Sequence, residues 1–226
     1  RFKEYKLDLF SGDQLKPEYL SINPNGLVPT LVHNGFNIID SLVIVQYLDE
    51  LFGDVEAFTP KEPIMRARMR SLMAYIDEVP TPAVRIPSYN MAFLVHFKNM
   101  PEDEFQDMAN AKPLRREFLL KFGRVGFSEN EFNEALDRLA RSLKRMQEEI
   151  NFSKGPWFLG DALSIADIAM MPVLIRLEDL NLKYMWEDKP EISRWLELIK
   201  NHHAFQSTFY HGSLLTEQYP HLTENN

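Results

Sequence analysis

The chain has 226 residues, 45% of them hydrophobic, and a net charge of −8 with a pI near 5.3. That length suits one large or two modest domains with a real core, and the acidity argues against nucleic acid or an anionic membrane as the main partner. The absence of cysteine excludes disulfides, thiolate zinc sites and a cysteine nucleophile within these residues. The first predicted element is an alternating strand from Phe2 to Phe10. A short helix follows near Lys16-Pro17-Glu18, where proline suits the first turn. Val28, Leu31 and Val32, then Phe36, Ile38 and Ile39, form two apolar runs. Between them Asn34-Gly35 supplies the positive φ angles of a two-residue hairpin turn. The second strand runs into Asp40-Ser41, after which Leu42, Val45, Leu48 and Leu51-Phe52 recur at helical spacing. A hydroxyl and a carboxylate thus stand at a strand-to-helix junction beside free backbone N–H groups, where a ligand carboxylate binds readily. An ordinary helix cap is the other reading of that pair. Val28-Pro29 enters a strand, where proline is confined to the start or the edge, and a cis bond is expected there.

Residues 53–63 hold glycine, two prolines and several charges and read as a linker. Beyond Pro63 the patterns are helical only. Ile64 to Val79 places Met65, Met69, Leu72 and Ile76 on one face, and the proline-rich stretch 80–87 is expected to interrupt before Ser88 to His96. Ser128-x-x-Glu131 is a capping-box signature ahead of Phe132, Leu136, Leu139, Leu143, Met146 and Ile150. Ser164-x-x-Asp167 is a second box, with Leu163 and Ile168 placed as a hydrophobic staple. The longest apolar stretch, Ala162 to Leu174, is broken by Ser164, Asp167 and Pro172 and is too short to span a bilayer. No secretory leader opens the chain, so a cytoplasmic protein is the expectation. The histidines are scattered except His202-His203, and no metal site is read.

The run Asn23-Pro24-Asn25-Gly26-Leu27-Val28-Pro29, followed by Asp40-Ser41, resembles the glutathione-binding half of glutathione transferases. The Ser164-x-x-Asp167 box resembles the one in that family's helical domain, so the likeness spans both halves, from Phe2 to about Phe205. It implies an α/β plus all-α fold: a thioredoxin-like domain over 1–52, here lacking its first strand and helix, a linker over 53–63, and an all-helical domain over 64–226. It implies that Val28, before a cis Pro29, pairs with the backbone of the glutathione cysteine. Asp40 would take the γ-glutamyl ammonium and Ser41 its carboxylate. Gln14 falls where theta-like members place a histidine for the glycine carboxylate, and Leu27 where some place a lysine. Lys16 is the candidate to compensate. Family logic puts the electrophile near Tyr75, Arg85, Ile86, Tyr89, Asn90 and Phe93, with the tail from Phe205 to Tyr219, including Phe209, Tyr210 and His211, closing over it.

The residue that activates the thiol is expected upstream of Arg1, because the chain opens at what resembles the family's second strand. Segment 97–127 resembles an insertion of bacterial β-aryl etherases and hydroquinone dehalogenases. Its basic run, Lys112 to Arg116, and Glu102–Glu104 read equally as a solvated helix face. The implied function is attack of a glutathione thiolate on a hydrophobic, aromatic electrophile by conjugation, ether cleavage or reductive dehalogenation, with maleylacetoacetate isomerisation a less favoured enzymatic variant. The alternative is a non-catalytic binding or assembly module on the same fold. A homodimer is also implied, with Arg66, Arg68 and Arg70 facing Asp49, Glu50 and Asp54.

Overall fold

A computed structural model describes residues 2–53 and 57–223. The N-terminal unit is thioredoxin-like and small. Gly12 leads into a 3-10 turn over Asp13–Leu15, and Pro17 opens the short helix α1, Pro17–Leu20. β1, Thr30–His33, pairs antiparallel with β2, Phe36–Ile39, in the register Thr30↔Ile39 to His33↔Phe36. Asn34 and Gly35 take φ of 51° and 81°, as the two-residue turn requires. Helix α2 runs Ser41–Phe52 and buries Ile44.

The strand expected over Phe2 to Phe10 is not formed; the sheet of the described residues has two strands. Phe2 and Tyr5 are 88% and 74% exposed. Alternation makes a strand only where a neighbour pairs its N–H and C=O groups, and none of the described strands runs beside this stretch. Of the linker expected over 53–63, residues 54–56 lie outside the described residues.

The second unit is all helical. Its long elements are α3, Pro63–Glu78, α9, Glu129–Ser153, α10, Ile165–Asp179, and α11, Pro190–Asn201. They bury Met69, Leu72, Leu139, Leu143, Leu174, Leu177 and Trp195 in one core. Between α3 and α9 lie α4, Pro80–Ala83, α5, Arg85–Ser88, a π turn over Tyr89–Phe93, α6, Leu94–Phe97, α7, Glu102–Asn110, and α8, Arg116–Phe122. The tail adds α12, His203–Thr208, and α13, Leu215–Gln218. Among the described residues no helix is long and apolar enough to cross a membrane.

The proline-rich stretch does not leave the helical path. Pro80 and Pro82 fall in the first turn of α4 and Pro87 in the first turn of α5, where backbone N–H groups lack intrahelical acceptors anyway. The 97–127 segment builds a core of its own from Phe97, Phe105, Ala109, Leu119, Phe122 and Phe127. Glu102 pairs there with Arg124 at 2.9 Å rather than with the basic run.

Arg68, expected at a two-fold interface, instead pairs with Glu149 and lies over the Phe152 ring within its own chain. Arg66 donates to the carbonyls of Pro60 and Lys61. Asp49 accepts from the Phe58 N–H at 2.7 Å. Asp54 lies outside the described residues.

Both capping boxes form. Ser128 Oγ accepts from the Glu131 N–H at 3.3 Å, and Glu131 accepts from the Ser128 N–H at 2.9 Å. Lys121, 2.7 Å away, and the two Ser128 donors hold the Glu131 carboxyl at about 2, below its ordinary 4.5. A lowered folded-state pKa stabilises above about pH 4.5, and that contribution is lost as the pH falls through about 2. Urea midpoints of wild type and Glu131→Gln should therefore differ at neutral pH and converge in acid; a gap that stays constant would contradict this.

The second box is fully buried. Asp167, 0% exposed, accepts from the Ser164 N–H at 3.0 Å, Ser164 Oγ at 2.6 Å, the Phe158 N–H at 3.1 Å and Trp195 Nε1 at 2.8 Å. Burial pushes its carboxyl up, and these donors pull it back. Asp167→Ala leaves buried N–H donors without an acceptor and should cost about 3–5 kcal/mol of unfolding free energy. An equilibrium unfolding curve superimposing on that of the wild type would refute this.

Candidate functional site: the hairpin-to-helix junction and the aromatic seam

The loop before β1 is held from inside. Asn23, buried, donates through Nδ2 to the Leu27 carbonyl at 2.8 Å and to Thr30 Oγ1 at 3.0 Å. Its Oδ1 accepts from the Asn25 N–H. The Tyr19 hydroxyl reaches the same two groups, at 2.5 and 2.8 Å. Gly26 sits between with φ +59°, and a Cβ there would meet Leu15 Cδ2 at 3.0 Å, so a side chain is excluded twice over. These contacts grip Leu27 and Thr30 and leave the two residues between them outside. Val28 is 45% exposed, Pro29 is exposed, and the bond joining them is cis, as expected. Among the described residues no hydrogen bond is made to the main-chain groups of Val28.

The hairpin register aligns this loop with the start of α2. The pairing ends at Thr30↔Ile39, so Val28-Pro29 enters β1 and Asp40-Ser41 leaves β2 at the same end of the hairpin. Asp40 has φ 75°, a conformation that a non-glycine residue adopts rarely and that clusters at ligand sites. One oxygen of its carboxylate, Oδ1, caps α2 by accepting from the N–H groups of Leu42 and Val43 at 2.9 and 3.2 Å. The other makes no hydrogen bond among the described residues. Ser41 is exposed at the first helical position. Together they present a backbone edge, an N–H-rich helix start with a hydroxyl, and a carboxylate oxygen. That set matches an extended peptide ending in an amino acid.

Gln14 is placed differently. It is 5% exposed, donates through Nε2 to the Leu9 carbonyl, and its Oε1 has no partner. Lys16 pairs with Asp13 at 2.6 Å, and Leu27 is half-buried with its carbonyl already occupied.

The residues expected around an electrophile divide into two groups. Tyr75 turns toward α9, where its hydroxyl meets Ser142 Oγ at 3.0 Å and Arg145 covers its ring. Asn90 clamps Phe127, donating to its carbonyl at 2.9 Å and accepting from its N–H at 2.8 Å. Arg85 is half-buried; burial, then the charge of Arg115, lowers its pKa. Ile86, Tyr89 and Phe93 pack against the aromatic core of the 97–127 segment, with Tyr89 5.2 Å from Phe93. Phe93 alone of the six also faces the ligand loop. Its ring centroid lies 6.1 Å from Phe10 and 5.8 Å from Tyr219.

Two further members of this seam, Phe10 and His96, escaped the sequence reading, whereas Tyr219 ends the tail expected to close over it. Phe10 lies 4.2 Å from the His96 ring, and His96 Nε2 is 2.8 Å from the Tyr219 hydroxyl. The i,i+3 spacing of Phe93 and His96 was the available signal for His96. The tail closes through Tyr219 and through Tyr210, whose hydroxyl is 3.3 Å from Lys6 Nζ.

Residues 2–56 match the family model for the glutathione S-transferase N-terminal domain, and residues 92–202 match that for the C-terminal domain. The chain belongs to the glutathione S-transferase superfamily. It is 26% identical over 215 residues to Protein LigF of Sphingobium sp., covering 92% of this chain and 83% of that protein. Glutathione S-transferase 1 of Dianthus caryophyllus is 27% identical over 175 residues, 76% of this chain and 64% of that one. Among solved structures, the β-etherase LigF superposes with a TM-score of 0.76 at 25% identity, covering 88% of this chain and 84% of its own. A glutathione transferase homologue from Lodderomyces elongisporus, solved with two GSH per subunit, shares the fold at a TM-score of 0.67 and 16% identity, with 89% and 83% of the two chains covered.

The Asn23 clamp has a measurable weight. Asn23→Ala strips buried acceptors of their donor and is expected to lower folding stability by about 1–3 kcal/mol. A melting temperature identical to the wild type's would show that Tyr19 alone secures the loop.

Proposed function

We propose that this protein is a glutathione-dependent transferase that directs the glutathione thiolate at a hydrophobic, aromatic electrophile. The meeting of Val28-Pro29 and Asp40-Ser41 at one end of the hairpin supports this reading. The Val28 N–H and C=O pair with the cysteinyl backbone of glutathione as a strand partner would. Ser41, through Oγ and its N–H at the positive end of α2, takes the γ-glutamyl carboxylate. The open oxygen of Asp40 takes the ammonium group while the other continues to cap the helix. Gln14 is buried, so the glycine end is held more loosely, with Lys16 the nearest exposed cation on that loop.

Chemistry then requires a thiolate, and a free thiol titrates at about 8.5, so a hydrogen-bond donor must lower that value at neutral pH. The electrophile lies in the aromatic seam formed by Phe10, Phe93 and Tyr219, where edge-on rings suit an aryl group. Conjugation, β-aryl ether cleavage and reductive dehalogenation all fit such a seat. Similarity to LigF along most of both chains favours ether cleavage. A homodimer in the cytoplasm completes the proposal. The competing reading, a non-catalytic binding module, is disfavoured by the exposed, unpaired state of Val28 and Ser41.

Isothermal titration calorimetry with glutathione tests the site. Ser41→Ala removes a hydrogen bond to a charged group worth about 1.5–3 kcal/mol, and affinity should fall roughly 10- to 150-fold. Equal affinities for variant and wild type, or no binding by the wild type, would refute the assignment.

A further inference from the structure

The His96–Tyr219 pair places a polar contact within the aromatic seam of Phe10, Phe93 and Tyr219. Tyr219 closes the tail after α13 and is 7% exposed. Its ring is packed by Phe93 at 5.8 Å and by His221 at 6.0 Å, while His221 Nε2 itself bonds the Met91 carbonyl at 2.7 Å. The tail is therefore pinned without the His96 contact, since Asp179 also accepts from the N–H groups of Leu215 and Thr216, at 2.5 and 3.0 Å. His96, by contrast, is exposed, stands one turn along the helix from Phe93, and meets the ring of Phe10 from the N-terminal unit in a tilted contact.

We infer that Tyr219 is the acid that protonates the oxygen leaving the electrophile, with His96 as the residue that positions it. This inference rests on the glutathione-dependent reading above and names the substrate class it serves: aryl ethers or epoxides, whose leaving oxygen departs as an anion. His96 in the tautomer with hydrogen on Nε2 donates to Tyr219 Oη and leaves the phenol hydrogen free to point at substrate. The glutathione thiolate forms the S–C bond, the C–O bond breaks with its electron pair going to oxygen, and the Tyr219 proton passes to that oxygen. The phenolate left behind is stabilised by the His96 N–H and regains its proton from water, which reaches the exposed His96 side.

The charged and titratable groups around Tyr219 are His96, His221 and Arg176. Burial raises the phenol above its usual 10, against the opposing charge of Arg176, so the proton is in place at neutral pH.

The test compares two electrophiles in the full chain: a phenyl β-ether, whose oxygen needs a proton, and chlorodinitrobenzene, whose chloride does not. Tyr219→Phe keeps the ring and should lower kcat on the ether by about 10²–10⁴-fold with KM nearly unchanged. Turnover of chlorodinitrobenzene should fall at least about tenfold less than turnover of the ether, because general-acid help is absent from that reaction and only the contact of Tyr219 with the electrophile is altered. Replacing the phenol leaving group by the less basic nitrophenol should shrink the loss. His96→Gln, which keeps a side-chain donor, should retain more ether activity than His96→Ala. Equal losses on both electrophiles, or no loss on the ether, in a protein that still binds glutathione overturn the acid assignment alone. A wild type that neither binds glutathione nor turns over either electrophile overturns the functional reading and this inference with it.

Discussion

The buried carboxylate of Asp167 is where the helical core and the glutathione-binding unit are tied into one body. It collects Ser164 at the start of α10, Phe158 from the loop after α9 and Trp195 from α11, so three chain segments converge on one side chain. One residue after Ser164, the Ile165 N–H donates to the Phe58 carbonyl at 3.2 Å, and the Phe58 N–H is itself held by Asp49 of α2. A continuous path thus runs from the buried acid to the helix that begins at Ser41. A buried acceptor with several fixed N–H donors tolerates little displacement, because each donor left unpaired is expensive away from water. The position of α2, and with it the ligand edge, inherits that rigidity.

The N-terminal unit solves a different problem: presenting unpaired polar groups without unfolding around them. Tyr19 and Asn23 satisfy the Leu27 carbonyl and the Thr30 hydroxyl from beneath, which frees the Val28 main chain to face outward. Asp40 accepts an unusual backbone conformation while capping α2 with a single oxygen. Local strain and an incomplete hydrogen-bond complement coincide at the same few residues, a pattern that functional sites share. The sheet contributes through its register, which ends at Thr30↔Ile39 and brings the entry to β1 and the start of α2 to one end of the hairpin.

The 97–127 segment shows how an insertion supports itself. Its rings at Phe97, Phe105, Phe122 and Phe127 make edge-on and tilted contacts, with Phe97 and Phe122 5.5 Å apart, around a small second core. Asn90 ties Phe127 back to the helical run through a two-way hydrogen bond. Tyr89 and Phe93 pack against that core, so the segment shapes one wall of the aromatic seam.

Signals confined to neighbouring residues were legible in the sequence. The Asn34-Gly35 turn, the capping boxes at Ser128 and Ser164, the entry to β1 at Val28-Pro29 and the helices after Asp40 and Pro63 all depend on chemistry spanning a few positions or one hairpin. Other features needed the whole fold. Phe2 to Phe10 alternates like a strand yet has no paired neighbour among the described residues, and Gln14 turned inward to the Leu9 carbonyl. The prolines at 80–87 proved compatible with helix because each fell in a first turn. His96 and Tyr219 meet across 123 positions of sequence. Periodicity and spacing describe what a segment does by itself; which side chains meet is decided by how distant segments pack against one another.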